Sequence, residues 1–375
     1  MANATTKTTE RADIAHMRAA LALARRGLGR VWPNPSVGCV VVAERRVVGR
    51  GWTSPGGRPH AETEALMRAG SSARGATVYV SLEPCCHHGR TPPCSKALIS
   101  AGVARVVAPM VDPDPRVNGA GFAALRAAGI AVEIGVGAEE ARELNQGFFL
   151  RLGEGRPLVT LKTATTLDGR IATHSGQSQW ITGALARARA HLLRAQHDAV
   201  MIGAGTAIAD DPLLTCRLPG LGAASPVRIL VDPRLRLPLT SALVRTARQI
   251  PTWVLALASA DATRRAAFTG CGVEIIDVPM GKDDRLDATA MLRVLGGRGL
   301  TRVLVEGGAA LAAALLRERL VDKIAWFRSA RLIGGDGVPT AAAFGIDRLT
   351  DAPAFVRQAI EPCGEDVLET YARAE

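Results

Sequence analysis

The residues best suited to chemistry are His60-Ala61-Glu62 and, with Cys85 lying 23 residues after Glu62, the pair Pro84-Cys85, followed by Cys94. One imidazole and two thiolates fill three corners of a zinc ion and leave the fourth to water, as a catalytic zinc requires. A metal held this way makes water a nucleophile near neutral pH. A carboxylate must then take a proton from that water and deliver it to a ring nitrogen and a leaving amine. Glu62, at a helix start beside His60, can face the open corner without binding the metal.

This is the H-x-E…P-C arrangement of zinc nucleobase deaminases. The second cysteine departs from the usual C-x-x-C, because eight residues, CHHGRTPP, separate Cys85 from Cys94. Thr91-Pro92-Pro93 stiffens that loop by fixing backbone angles before Cys94. His87, His88 and Arg90 are expected to project from it toward the cleft. The competing reading is a closed structural zinc, with His87 or Cys86 as fourth ligand, or cysteines without metal. A structural site has no need of a carboxylate beside its histidine. Cys85 is preferred over Cys86 as ligand because it follows Pro84.

The second half offers less. Gly203-Ala204-Gly205 follows a strand-like run, but Ile208 stands where a dinucleotide fingerprint wants glycine. Val305-Glu306-Gly307-Gly308 reads as a strand end opening a helix, which suits a pyrophosphate at a helix N-terminus. A tight turn without ligand fits that segment equally well. From the residues alone this half is a second α/β domain with a candidate nucleotide site.

The elements that must carry these residues alternate between strand and helix. Strands are expected at GCVVVA, RVVGRGW, ATVYVSL, RVVAPM and AVEIGV. Helices are expected from about Glu10 (capped by Thr9 after a disordered tail), over 60–69, 95–101 and 121–128, and from Glu139. Gly153 to Pro157 reads as a linker. Beyond it come strands at PLVTLKTA, DAVMIGA, VRILVD, TWVLAL, VEIIDV, RVLVEGG and DKIAWF, with helices over 184–195, near 288–295 and over 309–319.

A length of 375 residues exceeds one ordinary core and implies two domains. Net charge is +11, but the arginines are scattered and aromatics are only 4%, too few for base-stacking platforms. The charge therefore points to phosphorylated small molecules rather than nucleic acid. No apolar run approaches a membrane span, and no signal peptide is read in the polar MANATTKTTE. Seven cysteines in that setting are read as metal ligands in a reducing cytoplasm.

Taken together, NPSVG, HAE, LEPCCHHGRTPPC, DPDPRVNGAG, KTATTLDGRIA, SGQSQWIT, LLRAQHDAVMIGAGTAIADDPLLTCR and VEGG resemble the bifunctional deaminase–reductases of riboflavin biosynthesis over nearly the whole chain. The resemblance implies a cytidine-deaminase-like three-layer α/β domain over 10–152 and a dihydrofolate-reductase-like α/β domain over 157–375. It implies zinc and NADPH as cofactors. The implied substrate is 2,5-diamino-6-ribosylamino-4(3H)-pyrimidinone 5′-phosphate, deaminated first and then reduced from ribosyl to ribityl. Carried over by residue, His60, Cys85 and Cys94 hold zinc and Glu62 is catalytic. Asn34, Ala61, His87, Arg90 and Asp112 contact the first substrate. Lys162 is the second catalytic residue, with Ser178, Arg194, Leu214, Arg217 and Glu306 at its substrate. Ala164, Trp180, Thr206, Asp210 and Gly308 bind NADPH, and Arg234 or Arg236 would meet its 2′-phosphate. Asp114 replaces the family's Asn and would repel a phosphate; Cys86 replaces a small Ser or Thr. A homo-oligomer is expected. The alternatives are a nucleobase or tRNA deaminase with an inactive or accessory C-terminal domain, and a non-catalytic zinc-binding protein.

Overall fold

The computed structural model describes residues 2–89, 92–281 and 284–374. The chain divides into two compact units, Met1–Glu154 and Gly155–Glu375.

The first unit runs α1 (Ala2–Ala24), β1 (Gly38–Ala43), β2 (Arg46–Trp52), α2 (Ala61–Ala69), β3 (Thr77–Val80), α3 (Cys94–Ala101), β4 (Arg105–Ala108), α4 (Ala120–Ala127), β5 (Ala131–Ile134), α5 (Ala138–Leu144) and α6 (Gln146–Glu154). Its five strands lie in the order β2-β1-β3-β4-β5. The β1 strand is antiparallel to both neighbours, and β3, β4 and β5 run parallel. Side chains alternate across this sheet as a two-residue period demands. Cys39, Val41, Val78, Val80, Val106 and Ala108 pack on one face with Ala61, Ala65, Leu98 and Phe122. Val40, Val42, Tyr79 and Val107 pack on the other with Met17, Leu21, Ala141 and Leu144. Both faces are thus covered by helices, giving three layers.

Two boundaries differ from expectation. The first helix begins at Ala2 rather than near Glu10, since no Gly or Pro interrupts residues 2–10. Gly153 and Glu154 complete α6, so the irregular connection shrinks to 155–157.

The second unit runs β6 (Leu158–Thr165), β7 (Arg170–Ala172), α7 (Ala184–Ala195), β8 (Ala199–Gly203), α8 (Ala204–Asp210), β9 (Val227–Val231), α9 (Ala242–Arg245), β10 (Thr252–Ala256), α10 (Ala262–Gly270), β11 (Glu274–Asp277), α11 (Ala288–Gly297), β12 (Arg302–Glu306), α12 (Ala309–Arg317), β13 (Lys323–Arg328), β14 (Val338–Pro339), β15 (Phe355–Cys363) and β16 (Asp366–Arg373). Nine strands form one sheet in the order β11-β10-β9-β8-β12-β6-β13-β16-β15. Seven of them are parallel, and β16 and β15 close one edge antiparallel. From β8 the chain steps outward to β11 and then returns to insert β12 beside β8. That reversal opens a crevice at the carboxyl ends of β8, β12 and β6, where ligands of open α/β sheets bind.

Candidate active sites

In the first unit, glycines in RVVGRGW bring α2 onto the sheet. A Cβ at Gly49 would lie 2.2 Å from Ala65 O, and one at Gly51 would lie 2.2 Å from Ala61 O. Only bare backbone at both positions lets α2 sit this close. His60 caps that helix with extended backbone, and Glu62 is buried in its first turn. Cys85 lies on the loop after β3, and Cys94 opens α3. A Cβ at Gly121 would lie 2.1 Å from Pro84 O, so α4 fixes the loop just before Cys85.

These elements converge on one corner. His60 Nδ1 lies 3.6 Å from Cys85 Sγ and 3.3 Å from Cys94 Sγ. All three donor atoms lie within 4.8 Å of one another. A tetrahedral ion with ordinary Zn–S and Zn–N bond lengths separates N and S donors by about 3.5 Å, so the trio fits zinc. Cys85 is held as a thiolate at about 4 by bonds from the Cys94 thiol, His60 and the Cys94 N–H, although burial opposes it. Cys94 is pushed up, since it gives its proton to Cys85 and is buried. Two thiols that compete for one negative charge are a donor set that a dication would satisfy. Burial, and then the Cys85 charge, raise the Glu62 carboxyl to about 7.

Asn34, His60, Glu62, Cys85, His87 and Asp112 line one cleft of about 660 Å³. Asn34 Nδ2 donates to Gly57 O at 3.4 Å. Ala61 is fully buried, leaving only its backbone for a ligand. His87 has a buried Nδ1 without a hydrogen-bond partner. Arg90 and Thr91 lie outside the described residues. Cys86 turns away from the metal corner and donates to Arg116 O at 3.5 Å.

Burial, reinforced by the nearby Asp114 and Glu83 carboxylates, holds Asp112 up at about 6 against the Asp114 N–H bond. The expected repulsion from Asp114 is answered locally, because Arg116 grips that carboxylate at 2.9 and 2.5 Å. Several contributors carried no signal in the motif reading. Arg58 lines the cleft. Glu83 accepts the N–H groups of Asp112 (3.0 Å), Gly119 (2.9 Å) and Phe122 (3.2 Å), pinning the loop that carries Asp112. LEPCC could have flagged Glu83 only as one more acidic residue.

In the second unit the β6–β12 register sets Lys162 directly beside Glu306. Their side chains approach to 4.0 Å. From α7, Arg194 grips Glu306 through Nε at 2.5 Å and Nη2 at 2.9 Å. Burial alone would raise Glu306, but Arg194 and then Lys162 outweigh it and hold the carboxyl at about 2. Burial lowers Lys162, opposed by Glu306 and helped by Arg194. At the end of β12, Gly307 and Gly308 adopt φ of 71° and 85° before α12. A Cβ on either would lie 3.2 or 3.1 Å from Thr206 side-chain atoms, so bare backbone and a hydroxyl form a cradle at a helix N-terminus. That cradle fits the pyrophosphate of a nicotinamide dinucleotide.

The remaining expected residues lie on other elements of this unit. Ala164 continues β6, and half-buried Ser178 and exposed Trp180 lie on the loop before α7. The Trp180 ring, 57% exposed, lies under the Arg187 guanidinium at 4.8 Å. Asp210 closes α8 and is exposed. Leu214 is buried in the core with φ of 55°, so its side chain serves packing and only its backbone remains for a ligand. Arg217 is exposed nearby. Arg234 and Arg236 already face carboxylates, Asp284 at 3.6 Å and Asp232 at 3.9 Å.

Comparison with known proteins agrees with both halves. Residues 10–110 match the cytidine and deoxycytidylate deaminase zinc-binding region, and residues 157–368 match the RibD C-terminal domain. The riboflavin biosynthesis protein RibD of Actinobacillus pleuropneumoniae is 41% identical over 96% of this chain and 95% of its own. That of Escherichia coli K12 is also 41% identical, over 95% of this chain and 98% of its own. The solved structure of Acinetobacter baumannii RibD superimposes with a TM-score of 0.87 at 36% identity, covering 98% of this chain and 100% of that one. A Thermotoga maritima structure, described as a diaminohydroxyphosphoribosylaminopyrimidine deaminase/5-amino-6-(5-phosphoribosylamino)uracil reductase, gives 0.84 at 33% identity over 98% and 100%. With a zinc corner in one unit, a reductase crevice in the other and relatives that span both, this chain belongs to the RibD family of bifunctional riboflavin-biosynthesis deaminase–reductases.

Proposed function

We propose that residues 10–152 hydrolyse the exocyclic amine at ring carbon 2 of 2,5-diamino-6-ribosylamino-4(3H)-pyrimidinone 5′-phosphate, and that residues 157–375 reduce the ribosyl side chain of the product to ribityl. The observation that carries this reading is the His60–Cys85–Cys94 corner with a buried carboxyl beside it. His60, Cys85 and Cys94 hold zinc, which when bound supplies the Lewis acidity that makes water a nucleophile. Glu62 takes a proton from the attacking water and gives it to the ring nitrogen, then moves the remaining proton of the new hydroxyl to the departing amine, so ammonia leaves and a carbonyl replaces it. A carboxyl raised to about 7 is matched to such two-way transfer. Asn34 orients the pyrimidine and the Ala61 backbone lies under it. His87, Arg90 and Asp112 hold the ribose phosphate.

In the second step Lys162 protonates the imine of the opened sugar. Ala164, Trp180, Thr206, Asp210 and Gly308 would hold NADPH, which would supply the hydride for the anomeric carbon. Glu306 opposes the burial that disfavours the Lys162 charge, and Ser178, the Leu214 backbone, Arg194 and Arg217 receive the substrate, the two arginines on its phosphate. The reading of a nucleobase or tRNA deaminase with an idle second half is not favoured, since the relatives match through both halves. Among the described residues no helix is long and apolar enough to cross a membrane. A homo-oligomer working in the cytoplasm on a small molecule, without nucleic acid, completes the proposal.

The test supplies purified chain with the diamino pyrimidine nucleotide. Ammonia should be released without NADPH, and NADPH should be consumed only after deamination. Cofactor consumption on the undeaminated nucleotide would overturn the proposed order.

A further inference from the structure

The stretch 211–217 between α8 and β9 has no regular secondary structure, so its backbone polar groups must find partners elsewhere. Arg228 Nη1 donates to Leu213 O at 3.4 Å, and Ser225 Oγ accepts Cys216 N–H at 3.2 Å. Leu214 anchors the stretch by its buried side chain. The Thr215 carbonyl turns to α7, where it accepts Arg194 Nη1 at 3.0 Å and lies 3.1 Å from His191 Nδ1. The same ring nitrogen lies 3.4 Å from Arg217 N. One nitrogen of a neutral imidazole cannot both donate and accept, and the carbonyl contact is the shorter. His191 Nδ1–H therefore donates to Thr215 O. Three residues apart, His191 and Arg194 share one face of α7.

We infer that His191 is a positioning residue of the reductase: its Nδ1–H fixes the Thr215 carbonyl and thereby aims Arg217, two residues on, at the anionic end of the substrate. The inference rests on the proposed role of Arg194 and Arg217 as holders of the phosphate. Arg194 also carries Glu306, so a phosphate that draws its guanidinium away takes one of the two donors from Thr215. His191 is the donor that stays. Its ring is kept neutral by burial and by facing Arg194 and Arg217, against the pull of Thr215 O and Glu306, so it offers a single N–H.

The test uses the full chain carrying His191→Ala, His191→Gln or His191→Asn, assayed with the deaminated pyrimidine nucleotide, with and without its 5′-phosphate. The amide nitrogen of Asn falls near the Nδ1 position and that of Gln near Nε2. The Ala and Gln variants should raise KM for the phosphorylated substrate about tenfold, the worth of one lost hydrogen bond. Their kcat and their KM for NADPH should move less than about twofold, and Asn should return most of the loss. An unchanged KM for NADPH reports that the reductase unit of each variant is sound, since ammonia release tests only the other unit. An unchanged KM in the Ala variant, or a Gln variant as good as Asn, overturns the role of Nδ1. A kcat that falls equally in all three variants does so too, since it marks a merely structural ring. A wild-type chain indifferent to the 5′-phosphate overturns the phosphate reading of Arg194 and Arg217, and this inference with it.

Discussion

At the scale of residues, both sites are built from groups whose charge is set by a neighbour. Glu62 is raised by burial beside a thiolate, whereas Glu306 is lowered by two cations that overcome burial. Replacing Glu62 by Gln should leave zinc content intact and cut ammonia release by about 10²–10⁴-fold, with reduction of supplied intermediate unaffected. Lys162→Ala should do the reverse: ammonia forms, and NADPH oxidation falls on the order of 10²-fold. Parallel assays of the two activities check both, and equal loss of both in either variant would refute the division of labour. Glu306 also makes stability depend on pH. Its folded carboxyl sits at about 2 against an ordinary 4.5, so its contribution is complete above 4.5 and is lost as pH falls toward 2. That contribution is about 3 kcal/mol. Urea unfolding of wild type and Glu306→Gln should therefore show a gap near neutrality that closes across this acid window. A gap constant from pH 5 to 2 would contradict the assignment.

At the scale of elements, close backbone approach places the chemistry. The α2 helix carries His60 and Glu62, and it can lie against β2 only because positions 49 and 51 lack a Cβ. Gly51→Ala should force the start of α2 outward, costing about 1–3 kcal/mol as overpacking. The same displacement should weaken zinc binding, whereas Gly153→Ala on α6, where nothing lies within 4 Å of the new Cβ, should leave the corner undisturbed. Metal content after dialysis against a chelator, read beside thermal unfolding, distinguishes the two. Retention of zinc by Gly51→Ala at wild-type level would show that α2 is not held by this contact. In the second unit the equivalent device is register: adjacent parallel strands bring Lys162 and Glu306 level without any help from loops.

At the scale of the whole molecule, each unit has its own sheet and its own buried clusters. Residues 155–375 expressed alone should reduce supplied deaminated nucleotide with kcat/KM within about threefold of the full chain. An insoluble or inactive fragment would show that the second core depends on the first. The charge of +11 also reads differently at this scale. Many arginines serve the interior: Arg228 is fully buried and donates to Leu213, Leu243, Ile250, Thr246 and Thr252, and Arg156 grips Asp322 at 2.7 and 2.9 Å. Arg264 holds the carbonyls of Leu235 and Leu237.

What the chain order determined by itself was whatever depends on near neighbours. Strands β1 and β2 fall on GCVVVA and RVVGRGW, and α7 spans 184–195 as read, because a local apolar period, with Gly183 before α7, suffices to define them. The metal set was legible because His60, Glu62 and Cys85 keep a spacing that only one chemistry demands. Less periodic elements escaped. The helix α8 has only seven residues, and the edge strand β15 exposes much of its length, so no clear apolar rhythm marks them. Only tertiary structure decided the partners of residues far apart in sequence. It turned Cys86 away from the metal, neutralised Asp114 with Arg116, gave Glu83 three loop amides and set His191 on Thr215. Those outcomes depend on distances between elements, and no local pattern encodes a distance across a sheet or between a helix and a loop.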